Sequence, residues 1–224
     1  MTLVLCVTGT DTGVGKTVAT AALACAFAAH GARVHIDKPV QTGVAPAEPG
    51  DMGHVRALAG RVSTSEGLRL REPMAPIPAA AIDGVGLPTI AAHAERLRSL
   101  ADGVDVLLVE GVGGLLVRLD AAAGTFADLA AALDAPVVVV TRAALGTLNH
   151  TELTLEAIAR RGIGVAGLVI GAWPATPGPV ETTNREHLAG LAAPFLGAIP
   201  GGAGAWDGAC FQAAAPGWLE LPAP

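Results

Sequence analysis

Six short β-prone runs, separated by segments of helix length, constrain this 224-residue chain more than any single motif does. The runs are Leu3 to Val7, Arg33 to Ile36, Asp105 to Val109, Pro136 to Val140, Val165 to Ile170 and Phe195 to Ile199. Most are continuously apolar, the pattern of strands covered on both faces. Between them Lys16 to His30, Thr89 to Leu100, Thr125 to Leu133, Leu148 to Arg161 and Glu181 to Leu191 read as helices, with a further short one expected over Asp51 to Ala59. The alternation predicts an α/β fold with a doubly wound, mainly parallel sheet in a single domain over residues 1–224. Gly- and Pro-rich stretches at Val44 to Gly50, Pro73 to Pro88 and Trp173 to Pro179 are expected as loops. The tail from Gly201 to Pro224 shows no clear period and receives no assignment.

Composition narrows the function classes. The chain is 51% hydrophobic but only 3% aromatic, so its core must be built from Ala, Val, Leu and Ile. A net charge of -6 with no Lys or Arg cluster argues against a nucleic-acid partner, which needs concentrated positive charge. No apolar span of membrane length and no signal-peptide pattern is found, so no membrane partner is expected. Cys6, Cys25 and Cys210 are odd in number and lack paired spacing, which suits reduced, buried thiols in a cytoplasmic protein.

In an open α/β sheet, ligands gather beyond the carboxyl ends of the strands, so the residues after each apolar run carry the chemistry. The first run leads into Thr8-Gly9-Thr10-Asp11-Thr12-Gly13-Val14-Gly15-Lys16-Thr17 and then a helix, the order a phosphate-binding P-loop needs. Glycines let successive N–H groups form an anion nest, Lys16 supplies a point charge and Thr17 a hydroxyl for Mg²⁺. Five residues rather than four separate Gly9 from Gly15, so the loop is a variant. A P-loop NTPase fold acting on a nucleoside triphosphate follows.

Two further strand ends bear charge. Asp37-Lys38-Pro39-Val40-Gln41-Thr42-Gly43 places a second lysine beside the phosphate loop, either as a partner of the phosphates or as a solvated strand end. Val106-Leu107-Leu108-Val109-Glu110-Gly111-Val112-Gly113-Gly114 ends an apolar strand on a carboxylate. A buried carboxylate needs a cation, and Mg²⁺ and a structural ion pair both satisfy it. Asp51 opens the presumed helix, and on its own it reads as an N-cap or first-turn acid rather than as a ligand. Thr147 and Asn149 stand where a helix begins, so either can cap it, and the open N–H groups there suit an anionic substrate.

Together these motifs resemble the dethiobiotin synthetase family: the loop Gly9 to Thr17, Lys38-Pro39-Val40, Val109-Glu110-Gly111 and Leu145-Gly146-Thr147-Leu148-Asn149-His150 occur in matching order over about the first 200 residues. The resemblance implies an ATP-dependent ligase of biotin biosynthesis. It would join 7,8-diaminopelargonate and CO₂ and close a ureido ring through a carbamate and a carbamic-phosphoric anhydride. It further implies a cytoplasmic homodimer with the site at the interface. Thr17, Asp51 and Glu110 would hold Mg²⁺. Gly13, Val14, Gly15, Lys16, Thr17 and Val18 would wrap the triphosphate beside Gly111 and Gly113. Lys16, Lys38 and Thr12 would act on the reacting groups, with Thr12, Lys38 and Thr42 touching the carbamate. Gly146, Thr147, Leu148 and Asn149 of the second subunit would take the substrate carboxylate.

Where that family commonly has an adenine-reading asparagine, this chain has Gly171 followed by Ala172 and Trp173. Weak discrimination among nucleobases is therefore expected, with backbone groups of Gly171, Ala172, Pro200, Gly201 and Gly202 left to meet the base. A ParA- or MinD-like ATPase switch shares the loop core, but its signature lysine should stand where this chain has Asp11. A P-loop kinase or ligase acting on another small carboxylate is the remaining alternative.

Overall fold

The computed structural model describes residues 2–222. In chain order the elements are β1 Leu3–Gly9, α1 Lys16–Ala29, β2 Val34–Gln41, α2 Gly50–Ala59, β3 Ser63–Arg69, α3 Pro76–Asp83, α4 Ile90–Ala101, β4 Val106–Gly114, α5 Phe126–Ala132, β5 Val137–Thr141, α6 Thr147–Ala159, β6 Val165–Trp173, α7 Pro179–Ala189, β7 Phe195–Pro200 and α8 Gly208–Ala214. The strands form one sheet in the order β3-β2-β4-β1-β5-β6-β7, and every pairing is parallel. One face packs against α1, α2 and α8, the other against α3 to α7, giving the two buried clusters a doubly wound sheet requires. Helix α1 is apolar nearly all round and has ten buried residues among its fourteen, as its alanine content demands of a helix covered on several sides.

The sheet has seven strands where the sequence predicts six. Strand β3, Ser63–Arg69, carries a single large apolar residue, Leu68, because it is an edge strand and half-exposed. Its register comes from β2, and from His35, whose ring nitrogens lie 2.7 and 2.8 Å from the hydroxyls of Ser63 and Ser65. Four predicted strands also end too early, at Val7, Ile36, Val109 and Ile170 where β1, β2, β4 and β6 run to Gly9, Gln41, Gly114 and Trp173. β2 continues through Pro39 to Gln41 because its pairing with β4 stops at Asp37, so the missing proline donor leaves no ladder bond unmade there. β4 runs past Val109 to Gly114, with a register shift against β1 that fits extra residues opposite Thr8. Lys38 and Glu110 are therefore buried strand residues rather than strand-end residues.

Pro73 to Pro88, predicted as loop, contains α3, which starts with Pro76 in its first turn and stops at Gly84 in the left-handed region. The tail is structured too. Asp207 caps α8 by accepting the Cys210 N–H at 3.0 Å, and Phe211, Ala215 and Leu219 are buried in the same cluster as α1. Cys6 and Cys25 are buried, the thiol of Cys6 being pushed up to about 12 by burial, whereas Cys210 is exposed, against the expectation of three buried thiols.

Candidate active site

The centre of the sheet, where β1 lies between β4 and β5, puts three charged segments at one carboxyl edge. The phosphate loop leaves β1 at Gly9 and enters α1 through Gly15, whose φ of 97° only glycine adopts readily. Lys16 lies across the loop and donates to the Asp11 carbonyl at 3.0 Å. Burial and the neighbouring Lys38 charge pull its ammonium down to about 8, against the opposing pull of Glu110, Asp51 and Asp11.

Beside the loop, Lys38 donates to Glu110 at 2.8 Å and pairs with Asp51 at 2.7 Å, while the Thr17 hydroxyl donates to the same Glu110 oxygen at 3.0 Å. Burial opposes the charge on Lys38, but the two carboxylates outweigh it and hold the ammonium above its usual range. Glu110 is wholly buried, and its second oxygen, Oε2, has no hydrogen-bond partner. Asp51 is placed by Gln41, whose side-chain oxygen accepts the Asp51 N–H at 3.0 Å.

These groups line a cavity of about 550 Å³. Of the residues the sequence singles out, it brings together Thr12, Gly13, Gly15, Lys16, Thr17, Val18, Lys38, Thr42, Asp51, Glu110 and Gly113. The bulge of β4 folds Gly113 toward the loop, so that a Cβ there would lie 3.6 Å from the Thr12 hydroxyl. Gln41 and His54 also line the cavity and were not anticipated. Gln41 lies within the Asp37 to Gly43 motif, but nothing in a sequence marks a neutral amide as the anchor of a distant acid.

Val14, Gly111 and Gly171 stand just outside the cavity. A Cβ on Gly171 would sit 2.0 Å from the Val14 carbonyl oxygen, so this glycine is required by the close approach of β6 to the phosphate loop. Any side chain there, asparagine included, must push the loop aside before it can meet a base. Ala172 and Gly201 border a separate cavity of about 360 Å³ beside Arg142, and the Gly201 N–H donates to Trp173 at 2.6 Å. Pro200 closes β7 and Gly202 follows in the left-handed region, at φ 81°.

Gly146 to Asn149 are not part of the phosphate-loop cavity. They open α6, where Gly146 at φ 91° offers no side-chain cap, so the first-turn N–H groups of Leu148 and Asn149 have no side-chain acceptor from the cap position. Thr147 departs from expectation: its hydroxyl is fully buried against Thr141 at 2.5 Å and its N–H donates to the Ala144 carbonyl at 3.3 Å, so neither is free for a ligand. Asp11, at the position where a MinD-like switch needs lysine, instead pairs with Arg142 at 2.8 Å.

A family model described as an AAA domain matches residues 4–203. An ATP-dependent dethiobiotin synthetase of Streptomyces avermitilis is 53% identical over 96% of this chain and 91% of its own length. Namesakes from Rhodococcus jostii, at 50%, and Mycobacterium avium, at 51%, each align with 97% of this chain, covering 94% and 95% of their own lengths.

The chain belongs to the dethiobiotin synthetase family.

Solved structures extend the likeness to fold alone. The septum site-determining protein MinD of Pyrococcus horikoshii, complexed with Mg-ADP, superposes with a TM-score of 0.57 at 16% identity over 89% of this chain and 82% of its own. Chloroplast FtsY of Physcomitrella patens gives 0.54 at 18% over 96% and 65%. A dethiobiotin synthetase is thus built on the sheet and loop of P-loop NTPases.

Proposed function

We propose that the cavity over the phosphate loop is where this chain, an ATP-dependent ligase of biotin biosynthesis, turns 7,8-diaminopelargonate and CO₂ into dethiobiotin. The observation that carries the assignment is the convergence of Lys38, Glu110, Asp51 and Thr17 on one point beside Lys16. A carbamate and a triphosphate repel one another, and two ammonium groups at the mouth of an anion nest offset that repulsion. Lys16 would follow the β- and γ-phosphates, and Lys38 the oxygens that change charge as the carbamate oxygen attacks phosphorus. Thr12 and Thr42 flank the same space and offer hydroxyls to the carbamate. The neighbouring amine then attacks the activated carbonyl within one molecule, phosphate departs, and correct orientation alone contributes about 7–11 kcal/mol in favourable model reactions. No protein nucleophile is required.

Mg²⁺ fits this donor set. No cluster of three or more His, Cys, Asp or Glu side chains occurs among the described residues, but Mg²⁺ characteristically takes one or two carboxylates and completes its shell with phosphate oxygens and water. Glu110 with its unpartnered Oε2, Asp51 and the Thr17 hydroxyl are the residues that would hold it. Bound there, the ion would neutralise phosphate charge and align the γ-phosphorus. Lys38, which now lies between the two carboxylates, would be released toward the substrate.

We assign the substrate carboxylate to Gly146, Thr147, Leu148 and Asn149 of a second subunit in a homodimer. This is supported by the lining of the phosphate-loop cavity, which includes none of these four residues of the same subunit. It is also supported by Leu116, Leu145 and Leu153, which are 48%, 85% and 56% exposed around it. The base is assigned to backbone groups near Ala172 and Pro200 to Gly202. We place the protein in the cytoplasm; no helix among the described residues is long and apolar enough to cross a membrane. Mass spectrometry of products from ATP, bicarbonate and diaminopelargonate tests the assignment. Dethiobiotin with stoichiometric ADP is expected, and a stable phosphorylated product would favour a kinase instead.

A further inference from the structure

Behind the phosphate loop lies a chain of hydroxyls that the reaction itself does not use. Thr141, the last residue of β5, is fully buried, and its Oγ1 lies 2.5 Å from Thr147 Oγ1 and 2.9 Å from Thr151 Oγ1, both also fully buried. The Thr10 hydroxyl donates to the same oxygen at 3.4 Å. A hydroxyl has one proton and two lone pairs, so three oxygen neighbours saturate Thr141. Its neighbours belong to different machinery. Thr10 follows β1 at the start of the phosphate loop and is fixed by its own N–H to the Val140 carbonyl at 2.9 Å. Thr147 is the first residue of α6, and Thr151, one turn on, lies on the same helix face.

We propose that Thr141 is a positioning residue: it sets the first turn of α6 relative to the phosphate loop, and so places the carboxylate anchor that this subunit lends to its partner's site. The inference rests on the two-subunit reading above. Its physical ground is that Gly146 gives α6 no side-chain cap, so the first turn is located by what holds it from behind. Among the described residues two side chains do so by hydrogen bonds, beside the packing of Leu148 against the core. Asn184 of α7 donates to the Ala143 carbonyl at 2.8 Å, just before the helix, and Thr141 holds the helix itself. Valine at 141 keeps the shape and the β-strand preference but leaves the Thr147 and Thr151 hydroxyls without their shared partner, freeing the turn to shift.

The test uses mixed dimers. When a Lys16→Ala subunit is exchanged with an Asn149→Ala subunit, the surviving site combines the loop of the second with the α6 start of the first. Thr141→Val placed on the Lys16→Ala subunit should raise the KM for diaminopelargonate about tenfold while the KM for nucleotide stays within about twofold. The same change on the Asn149→Ala subunit should leave the diamine KM unmoved, and Thr141→Ser should restore it. Thr147→Val, which cuts the same tie from the other end, should reproduce the effect if Thr141→Val does not fold. Active mixed dimers whose diamine KM ignores both valine variants would overturn the positioning role and leave the shared site standing. Mixed dimers with proven exchange but no activity would overturn the shared site, and this inference with it.

Discussion

Two adjacent residues of β2 bury charge on opposite faces of the sheet, and the contrast separates a structural ion pair from a functional one. Asp37 is wholly buried, and both of its oxygens are answered: the Arg96 guanidinium reaches each at 2.7 Å, and Ser65 donates to one at 2.6 Å. Lys38 is as deeply buried, yet its partner Glu110 keeps one oxygen unpartnered and the group opens onto the large cavity. A closed bidentate pair with both oxygens partnered offers a ligand no unsatisfied oxygen. The other side has an unsatisfied oxygen, a movable ammonium and a second lysine nearby. A buried charge by itself therefore says little about function; the residual valence around it says more.

Removing Lys38 should break the contrast most. Lys38→Ala is expected to lower turnover per folded molecule by about 10²–10³-fold, because the charge acts on developing anions. It also leaves Glu110 buried without its cation, so a loss of stability should accompany it. Single-turnover kinetics together with urea unfolding separate the two effects. Near-normal turnover would make Lys38 a structural partner of Glu110 and nothing more.

Arg96→Ala should do the reverse. Leaving Asp37 uncompensated is expected to cost about 3 kcal/mol of stability, while kcat/KM of the folded fraction stays within about twofold. A large fall in kcat/KM would show that the closed side of β2 also shapes the site.

The smallest effect sharpens the comparison within the open side. Lys16 titrates at about 8, and its charged form, which predominates below that pH, is the one that binds phosphates. Nucleotide affinity measured by calorimetry should therefore be level at lower pH and fall about tenfold per unit above about pH 8. Lys38 is one of the groups holding this value down, so in Lys38→Ala the break should move to higher pH. An unchanged break would mean burial alone sets it.

Much of this site is legible without coordinates because its elements are local. A strand, five residues, a glycine, a lysine and a threonine specify a nest and a helix start by backbone geometry alone. Glu110 is legible because an acid closing an apolar run has few inexpensive fates. The edge strand β3 is not, since a polar half-exposed strand has no periodicity distinct from a loop. Helix α3 is hidden by prolines that first-turn positions tolerate, and the tail's burial comes from isolated residues such as Phe211 and Leu219. Gly171 carries a constraint that is hidden for a related reason. As an isolated letter it is a missing side chain, whereas in space it is the clearance under Val14.

Order and short-range spacing were enough for the α/β class, the phosphate loop and the chemical character of the segments that follow the strands, because each of these is local. Which charges meet was decided only by the tertiary structure. Lys38 and Glu110 are 72 positions apart, and Thr10 and Thr141 are 131 apart. Neither the closure of Asp37 by Arg96 nor the inward turn of Thr147 leaves a trace in local pattern. Such pairings depend on strand order and on the face each side chain takes. A parallel sheet sets both through crossovers that join residues remote in the chain.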